Sequence, residues 1–267
     1  IRKKMKPVRF AHIVNPVIVS EKSDLYIAQP ITFATMLQAK RTARPGVQVD
    51  LVAASFAEDE ALIPEYFQKT PHLERSIGDV SPYETRKKLP LIQDILDRLD
   101  KVSDAEYYIY TNVDIALMPD FYIWASRQIK KGFDSFVVNR TTISDQWYRI
   151  HEIPLMREAV KQGKRHPGFD CFIFKKEDYP RFVLGETCIG ANLIGRTLLA
   201  NVMAFSRKFR IFPYVKKTFH IGDDKTWKEK TFDGHFLHNQ NQFLFFLKHI
   251  FIIQSKKIFT NKQNPYK

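Results

Sequence analysis

The sequence predicts an α/β fold, in which a mostly parallel, twisted sheet carries helices on both faces. Apolar runs with strand character alternate with helical patterns along the chain, and the spacing of that alternation is typical of parallel strands joined by crossover helices. A chain of 267 residues with 44% hydrophobic side chains can bury a large core. We expect one domain, residues 1–240, followed by a basic amphipathic C-terminal tail, residues 241–267.

The opening of the chain predicts a strand–helix–strand unit. Residues 8–14 and 47–53 are typical of strands, and residues 31–43 between them follow Pro30 and carry apolar side chains on one helical stripe. Residues 89–99 predict a further amphipathic helix.

The stretch YYIYTNVDI, residues 107–115, predicts a buried strand that places a carboxylate, Asp114, near its end. The remaining predicted elements are a helix at 119–131, a strand at 133–138 after Gly132, a similar strand in GFDCFIF after Gly168, a helix at 191–205 and a strand at 210–215.

The charge balance indicates anionic partners. There are 42 Lys and Arg against 29 Asp and Glu, a net charge of +13, which attracts phosphates, nucleic acid or an acidic bilayer surface. Two cysteines, Cys171 and Cys188, imply no disulfide framework, so we expect a cytoplasmic location. The chain begins with Ile1, which we interpret as a fragment boundary or a truncated gene. Asn139-Arg140-Thr141 fits the glycosylation sequon, but so short a pattern arises by chance and we discount it.

The apolar stretch FLFFLKHIFII, residues 243–253, is too short to cross a bilayer, which takes roughly 20 apolar residues. Lys256, Lys257 and Lys262 follow it. Two interpretations stay open: the segment makes peripheral contact with an anionic membrane surface, or it docks on the domain as a C-terminal helix.

The sequence TNVDI contains a candidate cation site. In open α/β sheets ligands bind beyond the carboxyl ends of the strands, and Asn112 and Asp114 lie there in the predicted strand. Side chains two residues apart on an extended segment point the same way, so the amide oxygen and the carboxylate can converge on one hard cation. The alternative is an Asp that only stabilises a turn.

A second candidate segment is FHIGDDKTW, which has the order H-x-G-x-x-K-x-W. His220 supplies an imidazole ligand for a metal such as manganese. Gly222 lets a pyrophosphate approach the backbone, and Lys225 offers a point charge for a phosphate oxygen. A surface loop with a hydrogen-bonded His is the alternative.

With these two motifs the chain resembles a GT-A-type glycosyltransferase. TNVDI stands at the place of the family's DxD motif, and HIGDDKTW is similar to the HxGxxKPW segment of glycogenin-like and galactosyltransferase-like enzymes. The resemblance implies a GT-A-like fold, a nucleotide-sugar donor, and Mn²⁺ or Mg²⁺ held by Asp114, His220 and Asn112. It also implies that Lys225 meets the diphosphate. Asn112 replaces the first Asp of the family's motif, and Thr226 replaces its Pro.

Further candidates follow from the chemistry of sugar transfer to a hydroxyl. If the reaction inverts the sugar, the acceptor needs a base, and Asp170 and Glu186 are the candidates, each alternatively a cap or turn residue. Arg86 and Lys88, just before a predicted helix, are candidates to contact the nucleotide phosphates. A glycan, a lipid-linked sugar or a protein would be the acceptor.

Other classes are less consistent with the sequence. The first glycine is Gly46 and no G-x-G occurs, which argues against a dinucleotide fingerprint, a P-loop and the glycine-rich loop of nucleotidyltransferases. The basic residues are spread along the chain, so nucleic-acid binding is the less favoured use of the charge. A domain that binds a nucleotide sugar without catalysis is an alternative, because Asn112 is a neutral ligand.

Overall fold

The computed structural model describes residues 6–43, 46–147, 152–222 and 230–262, with side chains described as far as residue 250. Its strands, in chain order, are β1 (Val8–Val14), β2 (Val47–Ala53), β3 (Gln68–Lys69), β4 (Tyr107–Thr111), β5 (Ala116–Leu117), β6 (Ser135–Val138), β7 (Thr141–Ile143), β8 (Lys164–Arg165), β9 (Cys171–Lys175), β10 (Phe209–Phe212) and β11 (Thr218–Ile221). Its helices are α1 (Leu25–Ala43), α2 (Ile77–Val80), α3 (Ile92–Val102), α4 (Phe121–Lys130), α5 (Ile153–Val160), α6 (Ile194–Phe205) and α7 (Asp233–Lys262).

Seven strands form the central sheet, in the order β10-β6-β9-β4-β1-β2-β3. Every pairing in it is parallel except the two made by β9, which runs antiparallel to both β4 and β6. The prediction of a mostly parallel sheet is therefore confirmed. A second, four-stranded sheet in the order β5-β11-β7-β8 lies at the ends of these strands.

The core has two layers because successive side chains of a strand point to opposite faces of the sheet. In β4, Tyr107 and Ile109 pack with helices α1 and α4, whereas Tyr108 and Tyr110 pack with α3 and α6. Both faces are buried, which explains why this strand has an apolar or aromatic residue at nearly every position. The expected helices on both faces of the sheet are confirmed.

Helix α1 begins earlier than the sequence predicts. Its first residue is Leu25, whose backbone N–H donates to the carboxylate of Asp24 at 2.9 Å, and Pro30 lies inside the helix rather than before it. Proline removes one backbone hydrogen bond from a helix interior, but Ala28 and Ile31 on either side of it are buried. The packing of these side chains therefore outweighs the tendency of Pro30 to mark the start of a helix.

The strand predicted at 107–115 ends at Thr111. Asn112 to Ile115 form a turn in which the N–H of Ile115 donates to the carbonyl of Asn112 at 3.2 Å. Asp114 consequently lies in a turn beyond the strand, not on an extended segment, and the prediction that Asn112 and Asp114 alternate along a strand is wrong. The carboxylate therefore sits outside the buried strand.

Helix α7 runs from Asp233 to Lys262, across the predicted boundary at residue 240. None of the described helices combines the length and the apolar content that a membrane span requires.

Candidate functional site

The register of the central sheet gathers polar residues at one edge. Cys171, the first residue of β9, pairs with the last residue of β4 and with the last residue of β6. Since β9 runs in the opposite direction, the residue before it, Asp170, lies at the edge where β4 and β6 end. Asn112 and Asn139, the next residues after those two strands, lie at the same level. Ligands of open α/β sheets bind at this edge.

The second sheet brings His220 to this edge. Strand β11 pairs in parallel with β7, so His220 lies level with Thr142, and antiparallel with β5, so Phe219 lies level with Ala116. His220 Nε2 is thereby 3.0 Å from Asp114 Oδ2, although the two residues are 106 apart in sequence. The predicted convergence of Asp114 and His220 is present in the structure.

The tautomer of His220 follows from its other nitrogen. Nδ1 lies 2.9 Å from the carbonyl oxygen of Gly222, and a carbonyl only accepts, so Nδ1 carries a proton. Nε2 faces the carboxylate of Asp114. Burial by itself lowers the pKa of His220, but the charge and hydrogen bond of Asp114 outweigh burial and raise it. Burial by itself raises the pKa of Asp114, but His220 and then Arg140 outweigh it and lower that pKa. Both shifts favour the charged form of the pair, so a cation could bind Nε2 only after that nitrogen loses its proton.

A second charged pair lies beside the first. Arg140 Nη1 donates to Asp170 Oδ1 at 3.1 Å, with each side chain only 10% exposed. His166 Nδ1 is 3.8 Å from Asp170 Oδ2. Burial raises the pKa of Asp170, and the negative charge of Asp114 adds to this, while Arg140 opposes it. The two pairs thus form one electrostatically connected cluster.

The donor set around Asp114 fits a divalent cation. Asp114 Oδ1 is buried and has no hydrogen-bond partner among the described residues. His220 offers Nε2 while Nδ1 is held by a backbone carbonyl, an arrangement typical of metal-ligating histidines. Asn112 Oδ1 accepts from the Tyr110 hydroxyl at 3.0 Å and keeps a second lone pair. Within the described ranges, no group of three or more His, Cys, Asp or Glu side chains could hold a metal ion by itself.

Gly222 has a conformational role. Its φ of 76° is a backbone conformation that favours glycine, and its N–H donates to the carbonyl of Ile143 at 2.9 Å. The amide N–H of Gly222 is therefore already hydrogen-bonded within the second sheet. Lys225 lies outside the described residues.

The other sequence candidates lie apart from the cluster. Glu186 is 42% exposed, and its carboxylate is 3.8 Å from Arg75. Arg86 pairs with Glu84 at 3.2 Å. Lys88 pairs with Glu58, with its amine 3.9 Å from the centre of the Phe56 ring. No contact among the described residues joins these side chains to Asp114 or His220.

Sequence reasoning missed Arg140 and His166. Asn139-Arg140 follows an apolar strand just as Asn112-Val113-Asp114 does, so the same strand-end argument applies to it. Asn139 is 2% exposed, and its amide N–H groups donate to the carbonyls of His166 and Gly168. This burial agrees with discounting the glycosylation sequon.

Comparison with known proteins identifies the fold. No family model and no curated protein sequence matches the chain. Among solved structures, S. aureus TarS 1–349 in complex with UDP-GlcNAc superposes with a TM-score of 0.50 and 8% identity, over 85% of this chain and 61% of that one. The fold is GT-A-like.

Two further TarS structures agree. A second structure of S. aureus TarS 1–349 gives a TM-score of 0.50 and 8% identity, over 80% of this chain and 60% of that one. A longer TarS chain gives 0.50 and 10% identity, over 80% and 37%. The chain thus spans about three fifths of the length of TarS 1–349. At this identity the similarity shows the fold alone.

Proposed function

We propose that the chain is a glycosyltransferase that moves a sugar from a nucleotide-diphosphate donor to a hydroxyl group. The observation that carries this proposal is the 3.0 Å approach of His220 to Asp114 at the carboxyl edge of a GT-A-like sheet. The complex of TarS with UDP-GlcNAc supports a nucleotide sugar as the donor class. The net charge of +13 suits an anionic donor.

Asp114, His220 and Asn112 are the proposed ligands of Mn²⁺ or Mg²⁺. A metal held by these three residues together with the donor would supply positive charge to the leaving diphosphate. Asp114 supplies the anionic oxygen, and the carbonyl of Gly222 fixes the imidazole of His220 with Nε2 facing that carboxylate. Lys225, three residues after Gly222, is proposed to meet the same diphosphate. Asn112 is proposed to be a weaker ligand than the Asp that it replaces, because its amide is neutral.

Asp170 is favoured over Glu186 as the base that accepts the proton of the acceptor hydroxyl. Burial raises the pKa of Asp170, which strengthens it as a proton acceptor. Its Oδ2 has no hydrogen-bond partner in the described part of the chain, and it lies beside the proposed donor site. Arg140 holds the other oxygen at 3.1 Å and so orients the carboxylate. The acceptor is proposed to be a glycan, a lipid-linked sugar or a protein.

A screen for binding and turnover tests the function. We expect a panel of uridine and guanosine diphosphate sugars to raise the melting temperature of the full chain in a Mn²⁺-dependent way. We also expect one donor of the panel to release its nucleotide when incubated with acceptors. A thermal shift without turnover on any acceptor would indicate the binding domain without catalysis. Salt-sensitive binding of single-stranded DNA with no nucleotide response would instead indicate a nucleic-acid-binding protein.

A further inference from the structure

One face of helix α7 is attached to the domain. His238 Nε2 donates to the carbonyl of Glu186 at 2.8 Å, and His235 Nε2 donates to the carbonyl of Lys87 at 3.1 Å. The Asn239 side chain accepts from the N–H of Cys188 at 2.9 Å and donates to the same residue's carbonyl at 3.0 Å. Phe246 on this face is 2% exposed. The helix is therefore packed on the domain between His235 and Phe246.

The opposite side of α7 exposes four large apolar side chains, interspersed with Gln240, Asn241 and Lys248. Leu237, Leu244, Phe245 and Leu247 are each between 43% and 50% exposed. Leu237 and Leu244 are seven residues apart and so lie on the same side of the helix. Large apolar side chains exposed together on one element mark an interaction surface.

The charge of the segment indicates what covers this face. Residues 234–267 contain Lys248, Lys256, Lys257, Lys262 and Lys267 and no Asp or Glu. Exposed apolar side chains on a helix, in a segment whose sequence carries lysines and no carboxylate, are typical of helices that lie in the interface of an anionic bilayer. In such helices, apolar side chains reach the acyl boundary while ammonium groups stay among the headgroup phosphates.

We propose that the exposed face of α7, formed by Leu237, Leu244, Phe245 and Leu247, docks on a bilayer surface containing anionic phospholipid. A second copy of the chain fits less well, because it would oppose the same lysines with no carboxylate in the segment to pair with them. The helix has 30 residues, about 45 Å of length, over which it can lie along a surface. This inference does not depend on glycosyl transfer.

Vesicle co-sedimentation of the full chain tests the proposal. Vesicles of phosphatidylcholine alone are compared with vesicles that contain about 30 mol% phosphatidylserine. We expect binding to the anionic vesicles only, weakened by salt. The double variant Leu244→Glu/Phe245→Glu should lower the partition coefficient about tenfold or more. The matched control is Leu155→Glu, at a leucine of α5 that is 52% exposed, and it should bind like the wild type.

A second variant separates charge from packing. Lys256→Gln/Lys257→Gln leaves the apolar face unchanged and should weaken binding to anionic vesicles about tenfold. Circular dichroism and thermal melts are used to check that each variant is folded. The proposal is overturned if the wild type does not bind anionic vesicles, if it binds neutral vesicles equally well, or if Leu244→Glu/Phe245→Glu binds like the wild type. It is also overturned if that variant converts a dimer into a monomer in sedimentation velocity, because the occupant is then a second copy.

Discussion

Replacing Asp114 by Asn and by Ala separates its contribution to folding from its contribution to ligand binding. His220 is 4% exposed and its Nε2 faces the Asp114 carboxylate. In Asp114→Asn, the amide N–H can donate to a neutral Nε2, so a hydrogen bond persists and we expect a cost of about 1 kcal/mol. In Asp114→Ala, the buried nitrogen loses its partner, and we expect a cost of about 1–3 kcal/mol.

These costs convert into melting temperatures. For a chain of this size 1 kcal/mol corresponds to about 2–4 °C, so Asp114→Ala should melt about 2–12 °C below the wild type and Asp114→Asn about 2–4 °C below it. In the wild type, donor and Mn²⁺ at about 100 times the dissociation constant add about 2.7 kcal/mol, a rise of roughly 5–10 °C. Both variants should lose the Mn²⁺-dependent part of that rise, because both remove the anionic ligand.

Differential scanning fluorimetry measures both effects in one experiment. The matched control is Asp104→Asn, since Asp104 is 81% exposed and pairs with Arg9 at the amino end of β4, away from the site. If Asp114→Asn shows the same Mn²⁺-dependent rise in melting temperature as the wild type, the metal binds elsewhere. An unliganded melting temperature of Asp114→Ala equal to that of the wild type would show that the pair with His220 does not form.

Three other predictions use the same structure. Burial lowers the pKa of His12 to about 3, and an unfolded His titrates near 6.5, so the folded state loses stability as the pH falls below about 6.5, by up to about 1.4 kcal/mol per pH unit. Urea unfolding at pH 7 and at pH 5 measures this loss, and His12→Gln should lose about 2 kcal/mol less stability between these two pH values than the wild type. If the wild type and the variant lose the same stability, the assignment to His12 is refuted. Asp170→Asn should lower the rate of nucleotide release in the presence of acceptor by about 10²–10⁴-fold while donor binding persists. Glu186→Gln should change that rate by less than about threefold. A large loss in Glu186→Gln and a small one in Asp170→Asn would make Glu186 the base. Gly222→Ala should cost about 1–2 kcal/mol of stability in urea unfolding because of the positive φ, and an unchanged urea midpoint would show that this turn is not strained.

The layers of the fold were predictable because burial on both faces of a sheet produces continuous apolar runs. The runs at 107–115 and 133–138 and the run in GFDCFIF after Gly168 were identified on this basis. A continuous apolar run does not, however, indicate the direction of its strand. GFDSFVV and GFDCFIF look alike, yet β6 and β9 lie side by side in opposite directions, because direction is set by the connection and leaves no mark on hydrophobic periodicity.

Strand direction decides which residues meet at the site. An antiparallel β9 begins at the edge where β4 ends, and this puts Asp170 beside Asp114. In a fully parallel sheet Asp170 would have lain at the opposite edge. Asp170 was therefore proposed from its chemistry, and its position depended on a pairing that the sequence pattern does not encode.

The second sheet could not be predicted from the sequence because its strands are very short. Its strands β5, β8, β7 and β11 have only two to four residues, too few for an alternating pattern to be distinguished from chance. Yet the pairing of β11 with β5 and β7 is what brings His220 to Asp114. Asp114 and His220 were selected from the sequence because a carboxylate beyond a buried strand and an imidazole near a glycine are chemically conspicuous. Arg140 was missed because a basic residue after a strand suggests a solvated turn, and only its burial against Asp170 shows otherwise.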